Sequence, residues 1–355
     1  MRRIGILTGG GDAPGLNAVL RAFVKNAMIA HSWTVVGIAD SFNGLLENPR
    51  RLYPFDLSTR QGLLHRGGTV LGTTNHGDPF AYQTKQGIRD VSGELARAVR
   101  DEKLEGLVVI GGDGTMRIAL RLMEERGIPV IGVPKTIDND LSATDVTFGF
   151  QSAVDVATDA LDRLHTTAES HDRVMFLEVM GRDVGHIALH CGIAGGADVI
   201  LIPEIPYDAA KIAEKIRYRQ SVGRRFSIVV VAEGALPVGS STDESIRKKL
   251  LKSGGGAAAI AMSLLESKID AEMRVTVLGH LQRGGSPIPY DRVLATRFGV
   301  GAVDLVAQNR WGEMVRLKNN HIDGVPLREA AITRPVDLAD ELVRTARAVG
   351  VEFGG

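Results

Sequence analysis

The sequence predicts an α/β protein with mostly parallel sheets, and three observations support this. Short runs rich in Val and Ile alternate with longer amphipathic segments, the pattern of strands and helices in a βαβ arrangement. Glycines cluster directly after several of the predicted strands, where α/β proteins place ligand-binding turns. The chain has 355 residues, which predicts two domains.

The first predicted strand, residues 3–8 (RIGILT), is almost continuously apolar, as a strand in a parallel sheet covered on both faces should be. A glycine turn separates it from a helix expected at residues 16–28. Further strands are expected at residues 34–39, 106–110, 129–133, 173–179, 199–202, 227–232 and 274–278. Further helices are expected after residue 115 and at residues 152–165, 209–219, 257–268 and 290–308.

Composition argues against several classes of protein. Lys and Arg together number 42, as do Asp and Glu, and a net charge of zero argues against sequence-independent nucleic-acid binding. No apolar run approaches the roughly 20 residues that a membrane-spanning helix needs. The single cysteine, Cys191, excludes an intramolecular disulfide and a multi-cysteine metal site. We therefore expect a cytoplasmic protein without a nucleic-acid or membrane partner.

The first candidate site is the turn at residues 8–17 (TGGGDAPGLN), between the first strand and the first helix. Backbone N–H groups and the helix dipole favour phosphate at this position. The segment matches neither G-x-x-x-x-G-K-[ST] nor G-x-G-x-x-G, so neither the Walker A loop nor the dinucleotide fingerprint applies. A tight turn without a ligand is the alternative, and the position at a strand end favours phosphate.

The second candidate site is the segment at residues 111–115 (GGDGT), again at a strand end. Asp113 can ligate Mg²⁺, which prefers oxygen ligands and bridges phosphates. The alternative is that Asp113 caps the following helix. The motif occurs in several kinase classes, so it indicates phosphoryl transfer without identifying the acceptor.

The third candidate site is the segment at residues 134–140 (PKTIDND), after another apolar strand. Two carboxylates two residues apart, Asp138 and Asp140, can divide the work of phosphoryl transfer. One can deprotonate the attacking hydroxyl while the other holds Mg²⁺. Lys135 and Thr136 can contact the transferring phosphoryl oxygens. A solvated turn rich in Asp and Asn is the alternative.

Arginines near strand ends form a fourth set, because Arg grips phosphate bidentately. Glu233, which follows the predicted strand at 227–232, could accept hydrogen bonds from sugar hydroxyls. Each of these residues alone could be a surface charge, and the interpretation rests on their shared position at strand ends. The arginines are Arg173, Arg182, Arg274 and Arg283, the last within residues 279–285 (GHLQRGG).

Two weaker signals are interpreted as structural. His186 and His190 have the i, i+4 spacing of a metal-ligand pair, but no Glu follows His186 as in H-E-x-x-H. We interpret them as ordinary helix histidines, and Cys191 as a small core residue.

Together, the motifs are similar to those of the 6-phosphofructokinases over about residues 3–300. The combination is far more specific than any single motif, and NAD and lipid kinases share only GGDGT. Within the family, the sequence resembles a bacterial group that mixes features of ATP-dependent and pyrophosphate-dependent members. The motifs in chain order are TGGGDAPGLN, GGDGT, PKTIDND, MGR (180–182), VAEGA (231–235) and GHLQRGG.

The resemblance implies two lobes, each a three-layer α/β/α sandwich, with the active site in the cleft between them. The larger, phosphate-donor lobe is expected at residues 1–138 together with about 252–310. The smaller, sugar-phosphate lobe is expected at about 139–251. Residues from about 311 to 355 would form a C-terminal segment that packs on the lobes.

The resemblance also implies Mg²⁺-dependent phosphorylation of fructose 6-phosphate at its 1-hydroxyl, giving fructose 1,6-bisphosphate in glycolysis. Asp138 would be the base, and Thr136 and Arg182 would stabilise the transferring phosphoryl group. Asp113 and Asp140 would hold Mg²⁺. The donor would lie on Gly11, Gly112, Asp113, Gly114, Thr115 and Lys135. The sugar phosphate would lie on Thr136, Asp138, Arg173, Met180, Gly181, Arg182, Glu233, Arg274, His280 and Arg283.

Arg173 and Arg274 resemble residues that reach into a neighbouring subunit's site to grip the 6-phosphate. A monomer would then have an incomplete site. A homotetramer or homodimer with shared active sites is therefore expected.

Four positions bear on the donor. Glycine at position 114 leaves room for ATP, whereas Asp there resembles pyrophosphate-dependent members. Lys135 is the pyrophosphate-type residue, and Asn75 and Ile118 replace an Arg and a Gly of many ATP-dependent members. Because steric room is a precondition for binding, Gly114 carries most weight, and ATP is expected with pyrophosphate as the alternative. A catalytically silent sugar-phosphate-binding protein is a further alternative, which the presence of Asp138 opposes.

Overall fold

The computed structural model describes residues 1–57, 62–240 and 255–355. The chain divides into two compact units. The first unit contains Met1–Ser152 and Arg283–Thr333, and the second contains Ala153–Gln282 and Arg334–Gly355.

Thirteen strands are named in chain order within the described residues. They are β1 (Arg3–Thr8), β2 (Thr34–Ile38), β3 (Leu52–Pro54), β4 (Tyr82–Thr84), β5 (Gly87–Arg89), β6 (Gly106–Gly111), β7 (Val130–Pro134), β8 (Val174–Val179), β9 (Val199–Leu201), β10 (Ser227–Ala232), β11 (Met273–Val277), β12 (Glu313–Lys318) and β13 (His321–Pro326).

Eleven α-helices are named in the same way. They are α1 (Leu16–His31), α2 (Asn43–Leu46), α3 (Ser92–Asp101), α4 (Asp113–Arg126), α5 (Phe150–His171), α6 (His186–Ala194), α7 (Ala209–Ser221), α8 (Ala257–Leu265), α9 (Pro289–Ala307), α10 (Leu327–Ala330) and α11 (Glu341–Ala348). Short 3₁₀ helices cover Leu63–His65 and Gly279–Arg283.

The main sheet of the first unit has seven strands in the order β13-β12-β7-β6-β1-β2-β3. β6 pairs in parallel with β1 on one side and β7 on the other, so these three strands end at the same edge of the sheet. Antiparallel pairing is confined to the two ends, β2 with β3 and β12 with β13. The central strands are almost entirely buried, which explains their continuous apolar sequence.

Helices cover both faces of this sheet and form the outer layers of an α/β/α sandwich. On one face, Ile6 of β1 lies in a core with Phe23 of α1 and Phe298 of α9. On the other face, Leu7 lies in a second core that includes Leu122 of α4. Neighbouring residues of β1 thus face opposite cores, as the two-residue period of a strand requires.

The second unit has four strands in the order β11-β8-β10-β9, and every pair is parallel. One face packs against α7 and α8, where Phe176 of β8 shares a core with Ile212 and Ala261. On the other face, Ile200 of β9 lies against Gly192 of α6. The predicted fold class, α/β with mostly parallel sheets, is confirmed.

The observed units have different bounds from the predicted lobes. β11 pairs with β8, so the described residues 255–282 belong to the second unit and not to the larger lobe. The predicted boundary near residues 251–252 lies outside the described residues.

The C-terminal segment is divided between the units. The β12–β13 hairpin extends the seven-stranded sheet through β7. Residues 334–355 belong to the second unit, where Ile200 N donates to Glu352 O at 2.9 Å. Within the described residues, no helix is both long enough and apolar enough to cross a bilayer.

Candidate active site

Three turns follow the adjacent strands β1, β6 and β7 at one edge of the seven-stranded sheet. The register places Thr8 beside Ile110, and Gly111 beside Pro134. The residues that follow these positions are the three segments predicted to bind phosphate. Strand order therefore explains why segments up to about 125 residues apart in sequence lie together.

The first turn uses part of its backbone internally and leaves part of it open. Gly9 N donates to Ile110 O at 2.9 Å, and Gly10 N donates to Thr74 O at 3.2 Å. Gly10 has a φ of 75°, in the left-handed region that glycine adopts without strain. Among the described residues, the N–H groups of Gly11 and Asp12 have no hydrogen-bond partner. This turn can therefore offer backbone donors to an anion.

The second turn leads directly into α4. Asp113 is the first residue of this helix and Gly112 is its N-cap, so the alternative that Asp113 caps the helix is wrong. Asp113 Oδ2 instead pairs with Arg117 Nη1 at 2.8 Å. A side chain on Gly111 would collide with Thr115, which fixes glycine there. The N–H groups of the first turn of a helix have no partner within the helix, so the amino end of α4, directly after β6, favours an anion.

The third turn is held by its own polar side chains. Asp138 N donates to Thr136 Oγ1 at 3.0 Å. Asn139 has a φ of 54°, which Asn tolerates better than most residues, and its Oδ1 accepts from Thr147 N at 3.1 Å. Thr147 Oγ1 donates to Thr136 O at 2.7 Å. Asn139 was not predicted as a site residue, although its place between two aspartates was a signal.

The carboxylates of this turn repel one another. The pKa of Asp140 is raised to about 6, by burial first and then by the charges of Asp138 and Asp113. Its Oδ1 is buried and has no hydrogen-bond partner. A buried oxygen of this kind beside two further carboxylates fits a divalent cation.

Within the described residues, no three His, Cys, Asp or Glu side chains form a ready-made metal cage. Mg²⁺ does not need one, because it commonly binds through one or two carboxylates, water and substrate phosphates. The residues present therefore fit Mg²⁺ bound together with a phosphate donor.

Two cations lie on the carbonyl side of the first turn. Lys135, which is 3% exposed, donates from Nζ to Gly11 O, and Arg283 Nη1 donates to Asp12 O at 3.1 Å. The pKa of Lys135 is lowered to about 8, by burial first and then by the neighbouring charge of Arg283. The first unit thus brings Gly11, Lys135 and Arg283 together at the edge that carries the carboxylates.

In the second unit, β8 ends in the MGR segment. Gly181 has a φ of 128°, and Gly234, which follows β10, donates from N to Gly181 O at 3.2 Å. A side chain on Gly234 would collide with the Arg182 carbonyl. The two glycines thus bring Arg182 and Glu233 to the same edge of the four-stranded sheet.

Gln282, which was not predicted as a site residue, supports the MGR segment. It is fully buried, and its Oε1 accepts from Met180 N at 2.7 Å. Its Nε2 is buried without a partner. Exposed His280 precedes it in the same short helix, Gly279–Arg283. The signal was present in the sequence, because Gln282 belongs to the GHLQRGG motif.

Arg173 and Arg274 do not share the position of Arg182, which corrects the interpretation based on a common edge. Arg173 precedes β8 and Arg274 lies near the start of β11, so both are at the amino end of parallel strands. The six residues of β8, at about 3.3 Å each, separate this edge from Arg182 by roughly 20 Å.

Both of these arginines bind the same carboxylate, that of Glu272. Arg173 Nε and Nη2 donate to the two oxygens of Glu272 at 2.9 and 3.1 Å, and Arg274 Nη2 also donates to Glu272. Arg173 is the main cause of the lowered pKa of Glu272. The two arginines form a compact cationic group away from the MGR segment.

The histidines of α6 have structural partners. His186 Nε2 lies 3.2 Å from Arg334 O, and His190 Nδ1 lies 2.8 Å from His186 O. Burial lowers the pKa of His186 to about 4. Cys191 is fully buried, and burial raises the pKa of its thiol to about 12, which is unsuited to a nucleophile.

Turns predicted to bind phosphate, beside paired carboxylates on an α/β/α sandwich, are typical of phosphoryl-transfer enzymes. The chain belongs to the phosphofructokinase family, because the family model described as Phosphofructokinase matches residues 3–306. The resemblance predicted from the motifs is therefore confirmed.

Three known proteins illustrate the similarity. The chain is 53% identical to an ATP-dependent 6-phosphofructokinase of Chloroflexus aurantiacus, over 99% of this chain and 98% of that protein. It is 46% identical to ATP-dependent 6-phosphofructokinase 1 of Synechocystis, over 100% of this chain and 99% of that protein. The structure of a pyrophosphate-dependent phosphofructokinase from Nitrosospira multiformis matches with a TM-score of 0.81 and 20% identity, over 100% of this chain and 93% of that chain. At this identity, the last match supports the fold alone.

Proposed function

We propose that this protein transfers the γ-phosphoryl group of ATP to the 1-hydroxyl of fructose 6-phosphate, with Mg²⁺, giving fructose 1,6-bisphosphate and ADP. The observation that carries the proposal is the convergence of three turns at adjacent strand ends, with Asp138 on the third turn. The full-length similarity to ATP-dependent 6-phosphofructokinases supports the same reaction. Because its substrates are ATP and a sugar phosphate of glycolysis, we also propose a cytoplasmic location.

The donor phosphates would bind the open N–H groups of the first turn and the amino end of α4. Gly11, Gly112, Asp113, Gly114, Thr115 and Lys135 make up this donor site. Asp113 and Asp140 would hold Mg²⁺, which neutralises phosphate charge and orients the γ-phosphoryl group. The buried Oδ1 of Asp140, which lacks a partner, supports this assignment.

Asp138 would act as the base. Its carboxylate accepts the proton of the 1-hydroxyl while that oxygen bonds to the γ-phosphorus. The bond between the γ-phosphorus and the β,γ-bridging oxygen breaks, and ADP leaves with the electron pair. Thr136 and Arg182 would stabilise the charge on the transferring group.

ATP is favoured over pyrophosphate by the surroundings of Gly114. An added Cβ there would meet only Arg117 Nη2, at 3.7 Å, so the position leaves room for a nucleotide. Lys135 was the sequence feature that favoured pyrophosphate, and its ammonium group donates to Gly11 O. A buried bond to the backbone gives this lysine a role that does not depend on the donor.

The sugar phosphate would bind Thr136, Asp138, Met180, Gly181, Arg182, Glu233, His280 and Arg283. Arg173 and Arg274 would bind the 6-phosphate in a neighbouring chain's site. Their position at the amino edge of the four-stranded sheet supports this, because it is roughly 20 Å from Arg182 of the same chain. The proposal therefore includes a homodimer or homotetramer with shared sites.

The test is a coupled assay in which purified protein and fructose 6-phosphate receive ATP, ADP or pyrophosphate, with and without Mg²⁺. We expect fructose 1,6-bisphosphate with ATP and Mg²⁺, and at least tenfold lower kcat/KM with pyrophosphate (about 1.4 kcal/mol of discrimination). Pyrophosphate as the better donor would overturn the choice of ATP. Sugar-phosphate binding without turnover under every donor would favour the catalytically silent alternative.

A further inference from the structure

Lys135 connects the three turns at the candidate active site. It lies on the third turn, its backbone N donates to Gly111 O at 2.9 Å, and its side chain crosses to the first turn. There Nζ donates to Gly11 O, and a Cβ built on Gly10 would lie 3.5 Å from it. The lysine therefore contacts the backbone of the first and second turns, and both turns contribute to the proposed donor site.

Keeping this ammonium group buried is unfavourable. Lys135 is 3% exposed, and its neighbour Arg283 carries the same charge. Asp12, Asp138 and Asp140 partly compensate through their negative charges. A methionine of similar length would avoid the desolvation of a charge. The position thus carries a cost that packing alone does not explain.

The hydrogen bond to Gly11 O determines where the next N–H group points. In a trans peptide the carbonyl oxygen and the following amide hydrogen lie on opposite sides of the peptide bond. Holding Gly11 O toward Lys135 therefore turns the N–H of Asp12 away from it. Arg283 acts in the same way on Asp12 O, at 3.1 Å, and so directs the N–H of Ala13.

A second, uncharged bond holds the same turn. Thr73 Oγ1 donates to Gly10 O at 2.6 Å. Three consecutive carbonyls, those of Gly10, Gly11 and Asp12, are thus each bound by a side chain. Oriented amides of a fixed turn form a concave anion site.

We propose that Lys135 is a positioning residue for the donor, which fixes the first turn so that its N–H groups face the donor phosphate. The inference rests on the proposed function, because it concerns how that donor is bound. A lysine that only touched the phosphoryl group would leave the turn unchanged when no donor is present. The two roles can therefore be separated in the ligand-free protein.

The experiment combines hydrogen exchange with steady-state kinetics for wild type and Lys135→Met. Without ligand, we expect the hydrogen-bonded amides of Gly9 and Gly10 to exchange about tenfold faster in the variant. Such a rise corresponds to an opening made easier by about 1.4 kcal/mol. We expect the KM for Mg-ATP to rise about tenfold, which corresponds to the loss of roughly one charged hydrogen bond. The KM for fructose 6-phosphate should change less than twofold. Lys25→Met, which changes an exposed lysine of α1, is the matched control and should match wild type.

Unchanged exchange of the Gly9 and Gly10 amides in ligand-free Lys135→Met would overturn the proposal, whether or not the KM for ATP rises. An unchanged KM for ATP would also overturn it. If Lys135→Met does not fold, Lys135→Gln, which keeps a donor on a shorter side chain, is compared in the same two measurements. A wild-type protein that shows no kinase activity would instead contradict the proposed function, while the exchange measurement would still report on the turn.

Discussion

Asp113 and Arg117 form an ion pair of 2.8 Å across the first turn of α4, beside Gly114. The candidate metal ligand therefore faces a guanidinium group. A Cβ on Gly114 would lie 3.7 Å from Arg117 Nη2, at ordinary van der Waals distance. The space beside Gly114 is thus bordered by the carboxylate of Asp113 and the guanidinium group of Arg117.

Gly114→Asp is expected to reduce the use of ATP selectively. The added carboxylate fits without collision but lies beside Asp113, where it repels the phosphates of a nucleotide. We expect kcat/KM for ATP to fall at least tenfold, about 1.4 kcal/mol, and to fall less for pyrophosphate. Gly114→Ala adds only a methyl group and should change either value less than threefold (roughly 0.6 kcal/mol). Equal losses with both donors would contradict the argument that this carboxylate acts against the nucleotide.

Asp138→Asn is expected to reduce kcat by about 10²–10⁴-fold, because the amide cannot accept the hydroxyl proton. The amide keeps the size of the carboxylate, so sugar-phosphate binding measured by calorimetry should change little. Asp155→Asn changes an exposed aspartate of α5 and is the control. Wild-type turnover in Asp138→Asn would remove Asp138 from the role of base.

Mixing two inactive variants is expected to restore activity if sites are shared between chains. In a mixed oligomer of Asp138→Asn and Arg274→Ala, some sites combine Asp138 from an Arg274→Ala chain with Arg274 from a neighbouring Asp138→Asn chain. Both residues are intact in these sites. We expect activity to appear after the two proteins are unfolded together and refolded. Asp138→Asn mixed with Arg182→Ala should recover none, because both residues act in the site of their own chain. Recovery in neither mixture would place Arg274 outside the shared site.

Acid is expected to destabilise the second unit through His186. Burial lowers the pKa of His186 to about 4, below its ordinary value of 6.5. Between pH 4 and pH 6.5 the folded state therefore binds fewer protons than the unfolded state. The free energy of unfolding should therefore fall as pH decreases from 6.5 to 4, by up to about 3 kcal/mol from this group.

His186→Gln should remove this part of the acid dependence, because Gln does not titrate and can still donate to Arg334 O. His321→Gln, at an exposed position of β13, is the matched control. The measurement is urea unfolding at several pH values. Parallel curves for wild type and His186→Gln would show that His186 is not the responsible group.

Much of the candidate site was predictable because its signals are local. Glycines after Val- and Ile-rich runs predicted the turns that follow β1, β6 and β7. The location of Arg173 and Arg274 at the other edge of the sheet was also encoded, since Arg173 directly precedes β8 and Arg274 lies near the start of β11. The description "strand end" did not distinguish the two edges of a parallel sheet, which is why these residues were grouped with Arg182.

The β12–β13 hairpin was missed although its turn carries a signal. Asn319 and Asn320 both have positive φ, as a two-residue hairpin turn requires, and they separate two strands of mixed polarity. The unit bounds had no such signal, because one division falls between Ser152 and Ala153, inside α5. No change in composition marks that position.

The course of the Lys135 side chain was beyond local reasoning. Its partner, Gly11 O, is 124 residues away, and the bond depends on strand order and on the conformation of two turns. Sequence patterns identify a lysine near phosphate-binding turns. They do not distinguish a lysine that binds the phosphate from one that binds the backbone.

The most direct test of the central claim is hydrogen exchange of wild-type protein with and without Mg²⁺ and a non-hydrolysable ATP analogue. If the three turns form one donor site, residues 9–13, 112–117 and 135–140 should become protected together, with a single dissociation constant. Protection of only one turn, or of a surface elsewhere on the chain, would contradict the claim.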